Sequence, residues 1–108
     1  MVQAITNHIH MCIYKITKGS YEEFVDYARE RLAPFKRDHP GFVSYSLTDV
    51  GDGRFVSVST WEDRAQAEAA KASYAELIRS SDLADSVALE EDLIGEMTTL
   101  AAWVRNSV

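Results

Sequence analysis

Two runs of alternating side chains, Phe42 to Val50 (FVSYSLTDV) and Arg54 to Glu62 (RFVSVSTWE), flank the tripeptide Gly51-Asp52-Gly53. A period of two is the period of a β-strand. Gly and Asp tolerate the positive φ that a tight hairpin demands. The middle of the chain is therefore expected to be an antiparallel hairpin, and the rest must pack against it. A third alternating run, His8 to Ile16 (HIHMCIYKI), precedes it. Between them lies a helical stretch. Ser20 with Glu23 three residues on forms a capping box, and Tyr21, Phe24, Ala28, Leu32 and Phe35 recur at helical spacing. Pro34 lacks a backbone donor inside that run, so a kink or restart is expected near Arg31. His39-Pro40-Gly41 ends the helix.

After the hairpin, Asp63 and Gln66 cap an Ala-rich helix running to about Arg79. Ser80-Ser81-Asp82 breaks it. The spacing predicts a further short helix over 82–93, capped by Ser81 or Asp82, and a last strand from Glu96 to Val104 (EMTTLAAWV). The order strand, helix, strand, strand, helix, strand is that of an α+β, ferredoxin-like split β-α-β sandwich, with both main helices on one face of an antiparallel sheet. One such domain accounts for the whole chain, residues 1–108, with its core at about 8–104.

Two helices cover only one face of such a sheet. One set of strand residues is apolar: Ile9, Met11, Ile13, Val43, Tyr45, Leu47, Val56 and Val58. The other mixes aromatics, hydroxyls and imidazoles: His8, His10, Cys12, Tyr14, Phe42, Ser44, Ser46, Phe55, Ser57, Ser59 and Trp61. Neither pattern suits water. An exposed apolar patch of that size is costly at about 25 cal/mol per Å², so a homodimer through the sheet faces is expected. On the mixed face, small serines among large aromatics suggest a cavity with a few polar groups. The competing reading is a packed core whose hydroxyls bond neighbouring backbone.

Charge and composition close other routes. The net charge is -6, with 17 acidic against 11 basic residues, so phosphate backbones are repelled and nucleic-acid binding is not expected. No apolar run reaches the roughly 20 residues of a membrane span, and two histidines stand where a secretory signal would have its apolar core. A single cysteine, Cys12, permits no internal disulfide and fits a cytoplasmic location.

The pattern of strand, capped helix, Pro40-Gly41-Phe42, hairpin, and Thr60-Trp61-Glu62 opening an Ala-rich helix resembles the antibiotic biosynthesis monooxygenase domains of the dimeric α+β barrel group. The resemblance spans about residues 8–104. It implies two ferredoxin-like subunits packed sheet to sheet, each with a pocket between sheet and helices. It also implies small oxygenases. Some members turn anthrones into quinones without metal or organic cofactor, some cleave polyketide rings with reduced flavin, and some degrade haem. Trp61 falls at the tryptophan of the anthrone-oxidising members. Their pocket asparagine, four residues earlier, is Ser57 here, and their pocket tyrosine, six residues later, is Ala67. The strand-one asparagine of the haem-degrading members falls at Cys12, and their helical tryptophan and histidine fall near Ala67 and at Tyr74 to Glu76. No histidine lies on that helix, so haem is not an expected cofactor.

His10 is the expected base, because an imidazole titrates near neutral pH and an anthrone or phenol needs only partial deprotonation. Trp61 and Ser57 complete the expected catalytic group. Cys12, Tyr14, Phe42, Phe55, Ser59 and Tyr74 are the expected substrate-binding walls. His8, His10 and Cys12 alternate along one strand face, about 7 Å apart. No carboxylate lies near them in sequence, so no metal site is expected. His8 and His39 are expected at the surface, Trp103 in the core or a dimer contact, and Glu90-Glu91-Asp92 in solvent. The favoured reading is an oxygenase acting with O₂ on a planar aromatic substrate, with no cofactor. The alternatives are a non-catalytic ligand-binding or regulatory barrel, or an oxygenase that borrows reduced flavin.

Overall fold

The computed structural model describes residues 7–101. Strand β1 runs over Asn7–Ile16, helix α1 over Tyr21–Tyr27 and helix α2 over Ala33–Arg37. The hairpin is β2 (Phe42–Gly51) and β3 (Arg54–Trp61), followed by α3 (Arg64–Arg79) and β4 (Val87–Met97). All pairings are antiparallel and the strand order is β2-β3-β1-β4. This is the ferredoxin-like α+β arrangement expected from the sequence.

Both helix starts follow their caps. The Ser20 hydroxyl accepts from the Glu23 N–H at 3.2 Å, and the Asp63 carboxylate accepts from the Gln66 N–H at 2.8 Å. The break expected near Arg31 takes a specific form. Residues Ala28–Leu32 make one wider π-turn between α1 and α2, in which the Ala33 N–H reaches the Ala28 carbonyl five residues back. Pro34 has no N–H to give to the preceding turn, and the wider turn accommodates its ring. Phe24, Ala28, Leu32 and Lys36, four residues apart, all end up buried against the sheet.

The core lies between the sheet and the helices. Phe55, fully buried, packs its ring against Phe24 at 4.5 Å and against Tyr14 at 5.3 Å between centroids. Such aromatic pairs add to the area that each ring buries. On β1 and β3 the side chains face as expected: His10, Cys12, Tyr14, Phe55, Ser57, Ser59 and Trp61 lie buried beneath the helices.

On β2 the expected faces are inverted beyond Phe42. The ladder between β2 and β3 slips between Phe42 and Ser44, so that Tyr45 stands opposite Ser59 and Leu47 opposite Ser57. Tyr45 and Leu47 therefore pack against the core, and Ser44 and Ser46 turn away from it. One extra residue in a strand exchanges its two faces. The face away from the helices carries Ile9, Met11, Ile13, Val56 and Val58, half-buried, with Leu93 exposed opposite Met11.

The C-terminal part departs most from expectation. Only Asp82–Asp85 is helical, a single 3-10 turn capped by Ser81. The expected helix over 82–93 is otherwise strand, and the expected strand over 96–104 begins nine residues earlier, at Val87, and ends at Met97. Leu89, Glu90 and Glu91 have helical propensity, but pairing along the open edge of β1 overrides it. A bulge sets Tyr14 opposite Leu89 and Ile13 opposite Glu91, leaving Glu90 as the extra residue and concealing the alternation. Trp103 lies outside the described residues. Contrary to expectation, His8 is half-buried, and His39 is half-buried with its Nδ1–H donating to the Phe35 carbonyl at 2.8 Å.

Gly41 joins the helical layer to β2 with φ +81°, and a Cβ there would meet the side-chain amide of Gln66. Gly41→Ala is expected to destabilise the protein by about 1–3 kcal/mol, read as a lower urea midpoint with an unchanged slope.

Candidate functional site

A cavity of about 230 Å³ opens between α3 and the β1–β4 pair. His10, Cys12 and Tyr14 from β1 form one wall. Lys71, Tyr74, Ala75 and Ile78 from α3 form the other, and Val87, Leu89 and Asp92 come from β4. The alternation of β1 sends His10, Cys12 and Tyr14 to this one side. The register of β4 adds Asp92, directly opposite Cys12.

The imidazole of His10 is the centre of this group. Its Nε2 lies 2.7 Å from Asp92 Oδ1 and 3.2 Å from Cys12 Sγ. A carboxylate accepts, so Nε2 carries the proton of the neutral ring and Nδ1 keeps its lone pair. Burial lowers the pKa of His10, and the hydrogen bond and charge of Asp92 oppose that shift without cancelling it. The imidazole is accordingly neutral at pH 7. Burial pushes the Cys12 thiol up to about 11, so it is protonated at pH 7 and is no thiolate nucleophile. Lys71 Nζ lies 3.5 Å from the same Asp92 oxygen.

Behind Tyr74 sits a second polar group that sequence reasoning missed. Lys36 is only 2% exposed. Its Nζ lies 3.4 Å from Ser59 Oγ, 4.1 Å from the Tyr74 ring centroid and 4.5 Å from that of Tyr45. Two aromatic faces attract the ammonium. Burial still lowers its pKa to about 8, and raises those of Tyr14, Tyr45 and Tyr74 above the ordinary tyrosine range.

The expected site residues divide into two groups. His10, Cys12, Tyr14 and Tyr74 line the cavity. Ser57, Ser59, Phe55, Trp61 and Phe42 lie beside it on the same face of the sheet without lining it. Trp61 is packed with Phe42, Ala67 and Ala70, and its indole N–H donates to Ser59 Oγ at 2.9 Å. Ser59 thus joins Trp61 to Lys36, and stands opposite His10 in the ladder. Asp92, expected in solvent, faces His10. Its placement has no local sequence signal, because it depends on how β4 pairs. Lys36 had one: it stands four residues after Leu32, on the stripe of Phe24 and Ala28.

Residues 8–75 match the family model of the antibiotic biosynthesis monooxygenases. No curated protein matches the sequence. Among solved structures, HapK from Hahella chejuensis superposes with a TM-score of 0.68 at 14% identity, over 92% of this chain and 99% of that one. MupZ from Pseudomonas fluorescens gives 0.68 at 16% identity, over 82% and 69%. SnoaB from Streptomyces nogalater, described as a cofactor-independent oxygenase, gives 0.63 at 21% identity, over 89% and 95%. At these identities the likeness is one of fold. Among the described residues no helix is long and apolar enough to cross a membrane.

The buried ammonium of Lys36 has a measurable consequence. Unfolded, a lysine keeps its proton to about 10.5; folded, Lys36 releases it at about 8. Between those values the unfolded chain binds more protons, so the stability contributed by this group rises with pH across that window. Lys36→Met keeps the length of the chain without the charge. It is expected to be more stable than wild type at pH 7, on the order of 2 kcal/mol. The gap should narrow from about pH 8 toward 10.5. Paired urea titrations at about pH 7 and 9.5 measure it.

Proposed function

Because the chain belongs to the antibiotic biosynthesis monooxygenase family, we propose that it is a small oxygenase that oxidises a planar aromatic substrate of polyketide type with O₂ and no cofactor. The observation that carries this reading is the neutral imidazole of His10, held by Asp92 on the wall of a largely apolar cavity. His10 takes a proton from an acidic carbon or hydroxyl of the substrate. The electron-rich anion passes one electron to O₂, the two radicals combine, the imidazolium of His10 returns its proton to the peroxide, and loss of water from the hydroperoxide leaves a new carbonyl. Asp92 holds the ring and stabilises the imidazolium as it forms. Tyr14, Tyr74 and Cys12 are the substrate walls. Trp61, Ser57, Ser59, Phe42 and Phe55 support those walls from behind, with Trp61 fixing the hydroxyl of Ser59. The cavity, at about 230 Å³, is somewhat smaller than the ~300 Å³ at the lower end for small-molecule sites.

The same reading gives the apolar face to a second copy of the chain. Ile9, Met11, Ile13, Val56, Val58 and Leu93 form a continuous patch on the side away from the helices, and packing two sheets face to face buries such a patch. The thiol of Cys12 fits the reducing conditions of the cytoplasm.

Two measurements test these assignments. In O₂ uptake with an anthrone-type substrate, chelator present and flavin absent, His10→Ala should lower turnover by roughly 10²- to 10⁴-fold with the fold intact. The acid limb of the wild-type rate should have its midpoint below the ordinary histidine value of 6.5, and Asp92→Asn should move it lower still, because Asp92 favours the protonated ring. Uptake that requires flavin would select the flavin-assisted reading. No uptake, together with tight binding of an aromatic ligand, would select a binding protein. In sedimentation at micromolar concentration the wild type should be a dimer, and Val58→Glu should shift it to monomer by placing a charge in the joint.

A further inference from the structure

We propose that His10, Cys12 and Asp92 form a binding site for a divalent transition-metal ion, zinc above all, and that an ion bound there switches the oxygenase off. The second half of this proposal rests on His10 being the base; the first half does not.

The geometry is the starting point. One ligand atom from each of the three residues lies within 4.8 Å of the other two. Nε2 of His10 is already 2.7 Å from the Asp92 oxygen and 3.2 Å from Cys12 Sγ. Ligands at about 2.0–2.3 Å from a tetrahedral zinc stand about 3.3–3.8 Å from one another, between the 2.7 Å of the His10–Asp92 contact and the 4.8 Å limit of the group, so side-chain rotations that open the His10–Asp92 contact by about half an ångström admit the ion. All three residues sit on paired strands, where backbone positions are tightly held. Imidazole nitrogen, thiolate sulfur and carboxylate oxygen together suit zinc, and exclude magnesium and calcium, which take oxygen ligands. The fourth position opens on the cavity, so water can complete the coordination.

Charge also balances. Binding sends the thiol proton of Cys12 to solvent and moves the ring proton of His10 from Nε2 to Nδ1. A thiolate and a carboxylate then neutralise the dication, leaving a buried group with no net charge. Lys71, which shares Asp92 from the rim, is 42% exposed and can swing into solvent. With Nε2 bound to metal and Nδ1 protonated, His10 has no lone pair to accept a proton, and the base is lost.

The test uses the whole protein, stripped with chelator and titrated with Co²⁺, then Zn²⁺. One Co²⁺ per chain should bind, with a near-ultraviolet thiolate-to-cobalt band and the strong visible bands of a tetrahedral ion. Zn²⁺ should abolish both. Cys12→Ser, which changes one atom, should lose the near-ultraviolet band and bind Co²⁺ at least tenfold more weakly. Asp92→Asn should also weaken it. Absence of the band in wild type would overturn the proposal. So would equal affinity in Cys12→Ser, which would place the ion elsewhere. O₂ uptake forms a separate arm, each protein being compared with its own zinc-free rate. Zn²⁺ should suppress wild type at concentrations that leave Cys12→Ser at its own rate. Suppression equal in both would overturn the switch. If no zinc-free protein consumes O₂, the oxygenase reading fails, and the cobalt bands still decide the metal site.

Discussion

The pairing of β4 along β1 decides what the cavity contains. β1 is bonded on both sides, to β3 and to β4, so its side chains cannot shift without breaking two ladders. Cys12 lies opposite Ser57 on one side and Asp92 on the other. A slip of one residue in β4 would send Asp92 to the far face and leave His10 without its partner. The hydrogen bond at His10 is therefore a property of a sheet register. It is also well placed energetically, because a buried imidazole that keeps a hydrogen-bond partner avoids the cost of an orphaned polar group.

The interior on the helix side is more polar than the composition suggests. His10, Lys36, Ser57 and Ser59 are all buried there, among Tyr14, Tyr45 and Tyr74. Lys36 has aromatic faces and one hydroxyl around its ammonium. Such an arrangement is a poor way to stabilise a fold, since a buried charge costs more than its neighbours return. It does supply a fixed positive potential behind Tyr74, on the cavity side of the sheet. An anionic substrate or a reduced oxygen species in the cavity would be favoured by that potential.

Much of this architecture was legible in the sequence, and the failures share a cause. Period-two runs identified β1, β2 and β3, the Gly51-Asp52-Gly53 turn identified the hairpin, and Ser20 and Asp63 marked two helix starts. These signals are local. Both misread strands contain bulges. The slip after Phe42 exchanged the faces of Tyr45 and Leu47 with those of Ser44 and Ser46, and the one at Glu90 masked β4 altogether. A bulge is selected by the partner strand and leaves little trace in its own residues. The site was legible to the same extent. His10, Cys12, Tyr14 and Tyr74 follow from the phases of β1 and α3. Asp92 required the pairing of β4, and Lys36 lay hidden because a lysine on a buried stripe reads as an exception to the stripe.

The π-turn at Ala28–Leu32 lets this helical arm hold one residue more than a regular helix without moving its ends. A π-turn is in effect an α-helix with one residue inserted. Each residue of an α-helix advances by about 100°, and the wider turn takes up that extra advance. On a regular helix Phe24 and Lys36 would stand about 120° out of line; with the π-turn between them both face the sheet. Deleting one of the exposed residues Arg29, Glu30 or Arg31 would restore a regular turn and leave Lys36 on the Tyr45 and Tyr74 rings. A deletion in the regular turn of α1 would instead rotate the rest of the arm and carry the charge out from beneath the sheet.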